Sequence, residues 1–235
     1  MKQKPTKDGL KIFTTFEQDC LICKQSSTQL ICGYCKEDLT LFELAAYEYN
    51  LMVVPKVKKG LTKASFSHLV ALGDYQWPLS KLLTGLKFSA YIPNAKALAT
   101  LFVEHCIKEN SPLPQLIIPI PLHKNRYLQR KYNQSIELAK HINKLTNIPL
   151  NTSIMYRHKA THAQTNLSAA KRRQNLKHAF KISINNNLMQ YQHVALFDDV
   201  ITTGTTMNYA YNTLKAAYPH LEIDIWCICL TLENR

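Results

Sequence analysis

The stretch Val194-Ala195-Leu196-Phe197-Asp198-Asp199-Val200-Ile201-Thr202-Thr203-Gly204-Thr205-Thr206 decides the fold. Four apolar residues read as a buried strand, two acids end it, and hydroxyl residues around one glycine follow. Behind them Met207, Ala210, Tyr211, Leu214 and Ala217 recur at helical spacing. In open α/β sheets a ligand sits where such a strand passes through a loop into a helix. The backbone N–H groups of Thr202, Thr203, Gly204, Thr205 and Thr206, with the positive end of the helix, suit a phosphate. Gly204 lets it approach closely. Asp198 and Asp199 cannot serve that phosphate; they suit sugar hydroxyls, or Mg²⁺ held through water. A phosphate flanked by a diol is a ribose 5-phosphate. The plainer alternative is an acidic cluster that only caps the helix.

Outward from this run, apolar segments at 67–75, 116–120, 150–156, 180–184 and 223–232 read as further strands. Helical spacing covers 78–86, 93–105, 133–145 and 168–177, and 39–49 reads as a short helix. Strands alternating with helices predict an α/β fold, a mainly parallel sheet flanked by helices. The expected organisation is a module over 15–50, a connector over 51–66 with a proline, a glycine and lysines, and a larger domain over 67–235.

The module rests on cysteines. Cys20 and Cys23, then Cys32 and Cys35, form two CxxC pairs that suit one tetrahedral Zn²⁺. Gly33 is expected to give the second turn its backbone freedom. Four thiolates leave no open coordination position, so the metal is predicted to be structural. Two disulfides are the rival, disfavoured by a reducing compartment. Cys106, Cys227 and Cys229 lie in apolar surroundings and read as inert core thiols.

Charge is unevenly placed. Between residues 120 and 180 stand twelve Lys or Arg against one acid, Glu137, so this segment carries +11 of the net +13. Such a field favours polyanions, nucleic acid or phosphorylated small molecules; a solvated basic face is the plainer reading. No apolar run approaches the length of a membrane span, and no apolar signal core follows the first lysines, which predicts a cytoplasmic protein without membrane insertion.

The strand–DDVITTGTT–helix run resembles the PRPP-binding loop of the type I phosphoribosyltransferases. Two further stretches narrow the resemblance. One is Pro119-Ile120-Pro121-Leu122-His123 with Arg126, Arg130, Asn133-Gln134 and Leu138-Ala139. The other is Arg157, Lys159, Thr161, Gln164, Leu167-Ser168, Arg172, Asn175 and Ala179-Phe180. Together with the four cysteines they are similar to the pattern of the ComF/GntX family, from about Cys20 onward. Where that family usually has Arg-Gly-Phe-Asn-Gln, this chain has Arg130-Lys131-Tyr132-Asn133-Gln134, which puts a glycine-dependent turn in question.

The resemblance implies a type I phosphoribosyltransferase fold behind a small zinc module. It gives the ribose hydroxyls to Asp198 and Asp199 and the 5-phosphate to Thr202 through Thr206, with Mg²⁺ able to accompany PRPP. It also implies that Arg126, Arg130, Lys131, Tyr132, Arg157, Lys159 and Arg172 meet pyrophosphate, single-stranded DNA or both, since cations interleaved with aromatics track a single strand. The expected role is the handling of incoming single-stranded DNA in natural transformation, alongside competence or recombination proteins. An active phosphoribosyltransferase and a PRPP-sensing module without turnover stay open as alternatives, and no catalytic residue is assigned.

Overall fold

The computed structural model describes residues 17–61, 64–108, 110–158, 179–183 and 187–231; Lys159, Arg172 and the expected 168–177 helix lie outside them. The chain divides into two compact units, one up to Asp38 and one from Leu39 onward.

In the first unit β1 (Gln18–Asp19) pairs antiparallel with β2 (Ser26–Ser27), and α1 spans Gly33–Glu37. Among its described residues the buried apolar content is slight: Leu21, Ile22 and Ile31 are buried with Cys20 and Cys35. The left-handed residue of its first turn is Lys24, at φ 67°. Gly33 does not enter that region, and a Cβ there would meet nothing within 4 Å. The second turn therefore needs no glycine, against the sequence expectation.

The second unit carries the sheet. Short α2 (Pro55–Gly60) precedes β3 (Leu69–Asp74); α3 (Leu79–Phe88) and α4 (Pro93–Cys106) lead to β4 (Ile117–Pro119). Then come α5 (Lys124–Arg130), α6 (Gln134–Thr146), β5 (Met155–Arg157), β6 (Phe180–Ile182), β7 (His193–Ile201), α7 (Thr205–Ala217) and β8 (Glu222–Leu230). Four strands pair in the order β3-β8-β7-β4, every neighbour parallel. Helices flank them, so β8 is buried at eight consecutive residues from Ile223, as a central parallel strand covered on both faces must be. The α/β class and parallel sheet agree with the sequence reading.

Phe102 of α4 ties helix to sheet. Its ring lies 5.9 Å from Phe197 of β7 and 5.5 Å from Trp226 of β8, and it is fully buried. Truncation of such a ring to alanine costs about 3–5 kcal/mol.

Three local expectations change. Residues 39–49 do not form an α-helix: a 3₁₀ turn over Leu44–Tyr47 stops at Glu48 and Tyr49, whose φ values are 50° and 59°. Leu41 instead bridges Gly73. The lysine-rich connector contains α2, started by Pro55 at its first turn. The 150–156 run is split, since Leu150 makes one parallel bridge to Ile117 while β5 pairs antiparallel with β6.

Candidate functional site

The opening run folds as strand, loop and helix. β7 continues through both acids, so Asp198 and Asp199 are held by the ladder to β8, with Asp198 beside Cys227. Gly204 caps α7 at φ 72°, and a Cβ there would come 3.0 Å from Leu61 Cδ2. The backbone conformation demands glycine, and a side chain there would also have to displace the Leu61 methyl. The loop places Thr203 Oγ1 and Thr205 Oγ1 2.8 Å apart, at the open end of a helix whose first N–H groups have no partner within the helix.

One cavity of about 330 Å³ collects these residues. Its wall holds Asp198, Asp199 and Thr202 through Thr206, with Arg126, Arg130 and Arg157 facing the same space. Arg126 and Arg130 share a face of α5 at i,i+4 spacing. Burial, then the charge of Arg126, lowers the Arg157 guanidinium from its usual range, while Asp198 opposes this. The three cations and the acid pair therefore share one field.

The acids are tightly held. Ser135 Oγ donates to Asp198 Oδ1 at 2.7 Å, and the Asp199 N–H donates to the same oxygen at 2.9 Å. Lys87 Nζ lies 2.7 Å from Asp199 Oδ2, with both side chains largely covered. Burial, and after it the Asp199 charge, push the Asp198 carboxyl up to about 7, against the pull of Ser135.

Lys131 and Tyr132 are not in the cavity wall. Lys131 ends α5 in the left-handed region at φ 66°, so the turn in question is made without its glycine. Tyr132 donates its hydroxyl to the Leu86 carbonyl. Next to it Asn133 caps α6: its Oδ1 accepts from Ser135 N–H, and its Nδ2 donates to Ile120 O at 2.9 Å. At the rim Phe88 is 72% exposed with the Arg130 guanidinium 5.3 Å over its ring; Tyr127 and Tyr156 are exposed too but do not line the cavity. Sequence reasoning missed Lys87, Ser135 and Phe88. A lysine in the last turn of a helix reads only as a favourable dipole contact.

The first unit presents the four cysteine sulfurs within 4.8 Å of one another. Cys23 and Cys32 Sγ are 3.8 Å apart, close to the ~3.8 Å that 2.3 Å bonds give in a tetrahedron. The Cys32 N–H donates to Cys20 Sγ. Such donors outweigh burial and bring the Cys20 thiol down to about 6, whereas burial and the neighbouring sulfurs lift Cys35 to about 12. One ready thiolate beside three more sulfurs fits a structural zinc centre. Cys106, Cys227 and Cys229 are buried, and burial raises all three thiols.

No family model matches the chain. It is similar to Competence protein F of Haemophilus influenzae, 34% identical over 211 residues and covering 86% of each chain. It is also 34% identical over 172 residues to the DNA utilization protein YhgH of Escherichia coli O157:H7, covering 71% of this chain and 74% of that one. The DNA utilization protein YhgH of Salmonella typhi matches at 33% over the same length.

Proposed function

We propose, since the chain belongs to the ComF family of competence proteins, that it acts in the uptake and use of DNA by binding PRPP or a similar ribose phosphate and by handling incoming single strands. The cavity carries this reading. It pairs two carboxylates with a threonine-lined helix start and surrounds both with arginines. The carboxylates accept from the ribose diol, the loop N–H groups and hydroxyls take the 5-phosphate, and Arg126, Arg130 and Arg157 take the pyrophosphate. No helix among the described residues is long and apolar enough to cross a membrane. Work in the cytoplasm, where entering strands and PRPP meet, belongs to the same proposal, as do contacts with competence or recombination proteins.

At the rim the Arg130 guanidinium over the exposed Phe88 ring sets a cation against an aromatic face, the kind of pairing that tracks a single strand, and α5 exposes a further ring at Tyr127. Calorimetry with PRPP tests the pocket: Asp198→Ala with Asp199→Ala abolishes binding and leaves the zinc content unchanged. Unaltered affinity in that double variant refutes the assignment. Titration with oligonucleotides tests the rim, with a log–log salt slope near about −3 if four phosphates are met. No binding at low salt removes the DNA arm. Pyrophosphate release against a panel of bases and DNA ends separates turnover from sensing.

A further inference from the structure

A divalent ion is what the family resemblance brings to an acidic pair beside PRPP, yet the side chains around this pair do not fit one. An ammonium already stands there: Lys87 Nζ is 2.7 Å from Asp199 Oδ2, with the lysine side chain 19% exposed and the carboxylate 11%. Lys87 comes from the last turn of α3, and its neighbour Phe88 opens onto the cavity mouth, so the ammonium enters from the wall of the site itself. On the other acid, Asp198 Oδ1 is taken twice, by Ser135 Oγ and by the Asp199 N–H. That leaves Asp198 Oδ2 and Asp199 Oδ1, two acceptors matched in number to the two hydroxyls of a diol. Mg²⁺ demands near-octahedral oxygen ligation and keeps several waters. Placed on this pair, it would sit against the Lys87 ammonium, with Arg126, Arg130 and Arg157 lining the same cavity.

We propose that Lys87 is the resident cation of the acidic pair, so that the site binds its ribose phosphate without a divalent metal. This rests on the ribose-phosphate reading of the pocket. Lys87 fixes the Asp199 carboxylate for the diol and offsets the repulsion between that carboxylate and the incoming anion. The arginines supply the charge on the pyrophosphate that a metal supplies elsewhere.

Calorimetry of PRPP with the full chain tests it. Buffers are freed of divalent ions over a chelating resin before protein is added, so the cysteine-bound zinc is retained, and are matched in ionic strength with and without Mg²⁺. The native dissociation constant is expected to agree within about threefold between the two. Lys87→Met weakens metal-free binding by about tenfold or more and regains part of it when Mg²⁺ is added. Lys87→Arg keeps the charge and stays indifferent to Mg²⁺. Native binding that appears only with Mg²⁺ overturns the proposal and leaves the ribose-phosphate reading standing. Absence of native binding in both buffers removes that reading, and the proposal with it. If Lys87→Met does not fold, the native pair of titrations and Lys87→Arg still decide.

Discussion

Ser135 Oγ donates to Asp198 Oδ1 at 2.7 Å across 63 positions of sequence, joining the first turn of α6 to the carboxyl end of β7. The bond holds one carboxylate of the pair in place and opposes the rise of its pKa. The folded Asp198 carboxyl lies above its ordinary 3.8, at about 7. The folded state thus keeps a proton that the unfolded chain has released, and this group's contribution to stability falls as pH climbs from 3.8 through 7. Ser135→Ala is expected to cost about 1–3 kcal/mol at pH 8, where the carboxylate is charged, and less at pH 5. Urea unfolding at the two pH values checks it. The same change moves the rise of PRPP affinity with pH upward, because the diol needs the ionised acid; Asp198→Asn removes that rise.

Lys131 occupies the left-handed region at φ 66°, where a side chain costs about 1–2 kcal/mol. Glycine carries an unfolded-state entropy cost of roughly 0.5–1 kcal/mol of its own. Lys131→Gly is therefore expected to stabilise by about 0.5–1 kcal/mol, the difference of the two. A urea midpoint that moves down would show that the lysine side chain contributes more than the backbone loses.

The opposite end of the sheet supplies a pH prediction. Asp224 meets His68 Nδ1 through Oδ1 and His193 Nε2 through Oδ2, each at 3.0 Å. Burial pushes its carboxyl up, but the bonds from His193 and His68 outweigh it and hold the group at about 2. The His193 imidazole is raised by the bond it donates to Asp224, against burial. Asp224 thus stabilises above 3.8, and this is lost as pH falls from there toward 2. His193 stabilises fully below 6.5, and this is lost as pH rises through its folded value. The gap in stability between native and Asp224→Asn chains should be widest between 3.8 and 6.5 and narrow on both sides. Its acid limb is worth about 2 kcal/mol. A gap independent of pH would contradict this assignment of charge.

Metal content checks the cysteine unit. Among the described residues of this unit only Leu21, Ile22 and Ile31 are buried apolar side chains besides cysteine, too few to offset its chain entropy, so its folding energy is expected to come from bound zinc. One zinc per chain is expected, lost on Cys23→Ser or Cys32→Ser. Amide exchange of β1, β2 and α1 should then become fast, with β7 and β8 unchanged. Protection retained in α1 without metal would refute it.

What was legible in the sequence had short range. The 194–206 run shows its strand, loop and helix within thirteen residues, because alternation of apolar, acidic and hydroxyl residues is local. The paired cysteines are legible for the same reason. Lys87 and Ser135 were not, since each is defined by an acid brought beside it only by the closed sheet. Glu48 and Tyr49 end a promising helix through backbone angles that their residue types do not announce.

Strand order has a consequence for synthesis. β3 finds its parallel partner only in β8, the last described strand to be made, while β4 waits for β7. The cysteine unit, by contrast, has all its ligands within Cys20 to Cys35. A chain leaving the ribosome therefore carries a complete set of four cysteine ligands ahead of a sheet whose apolar edges stay unpaired until the closing strands emerge. That interval is when the chain is most exposed to misassociation, and it ends with β8 and with β7, the strand that carries the acid pair into the pocket.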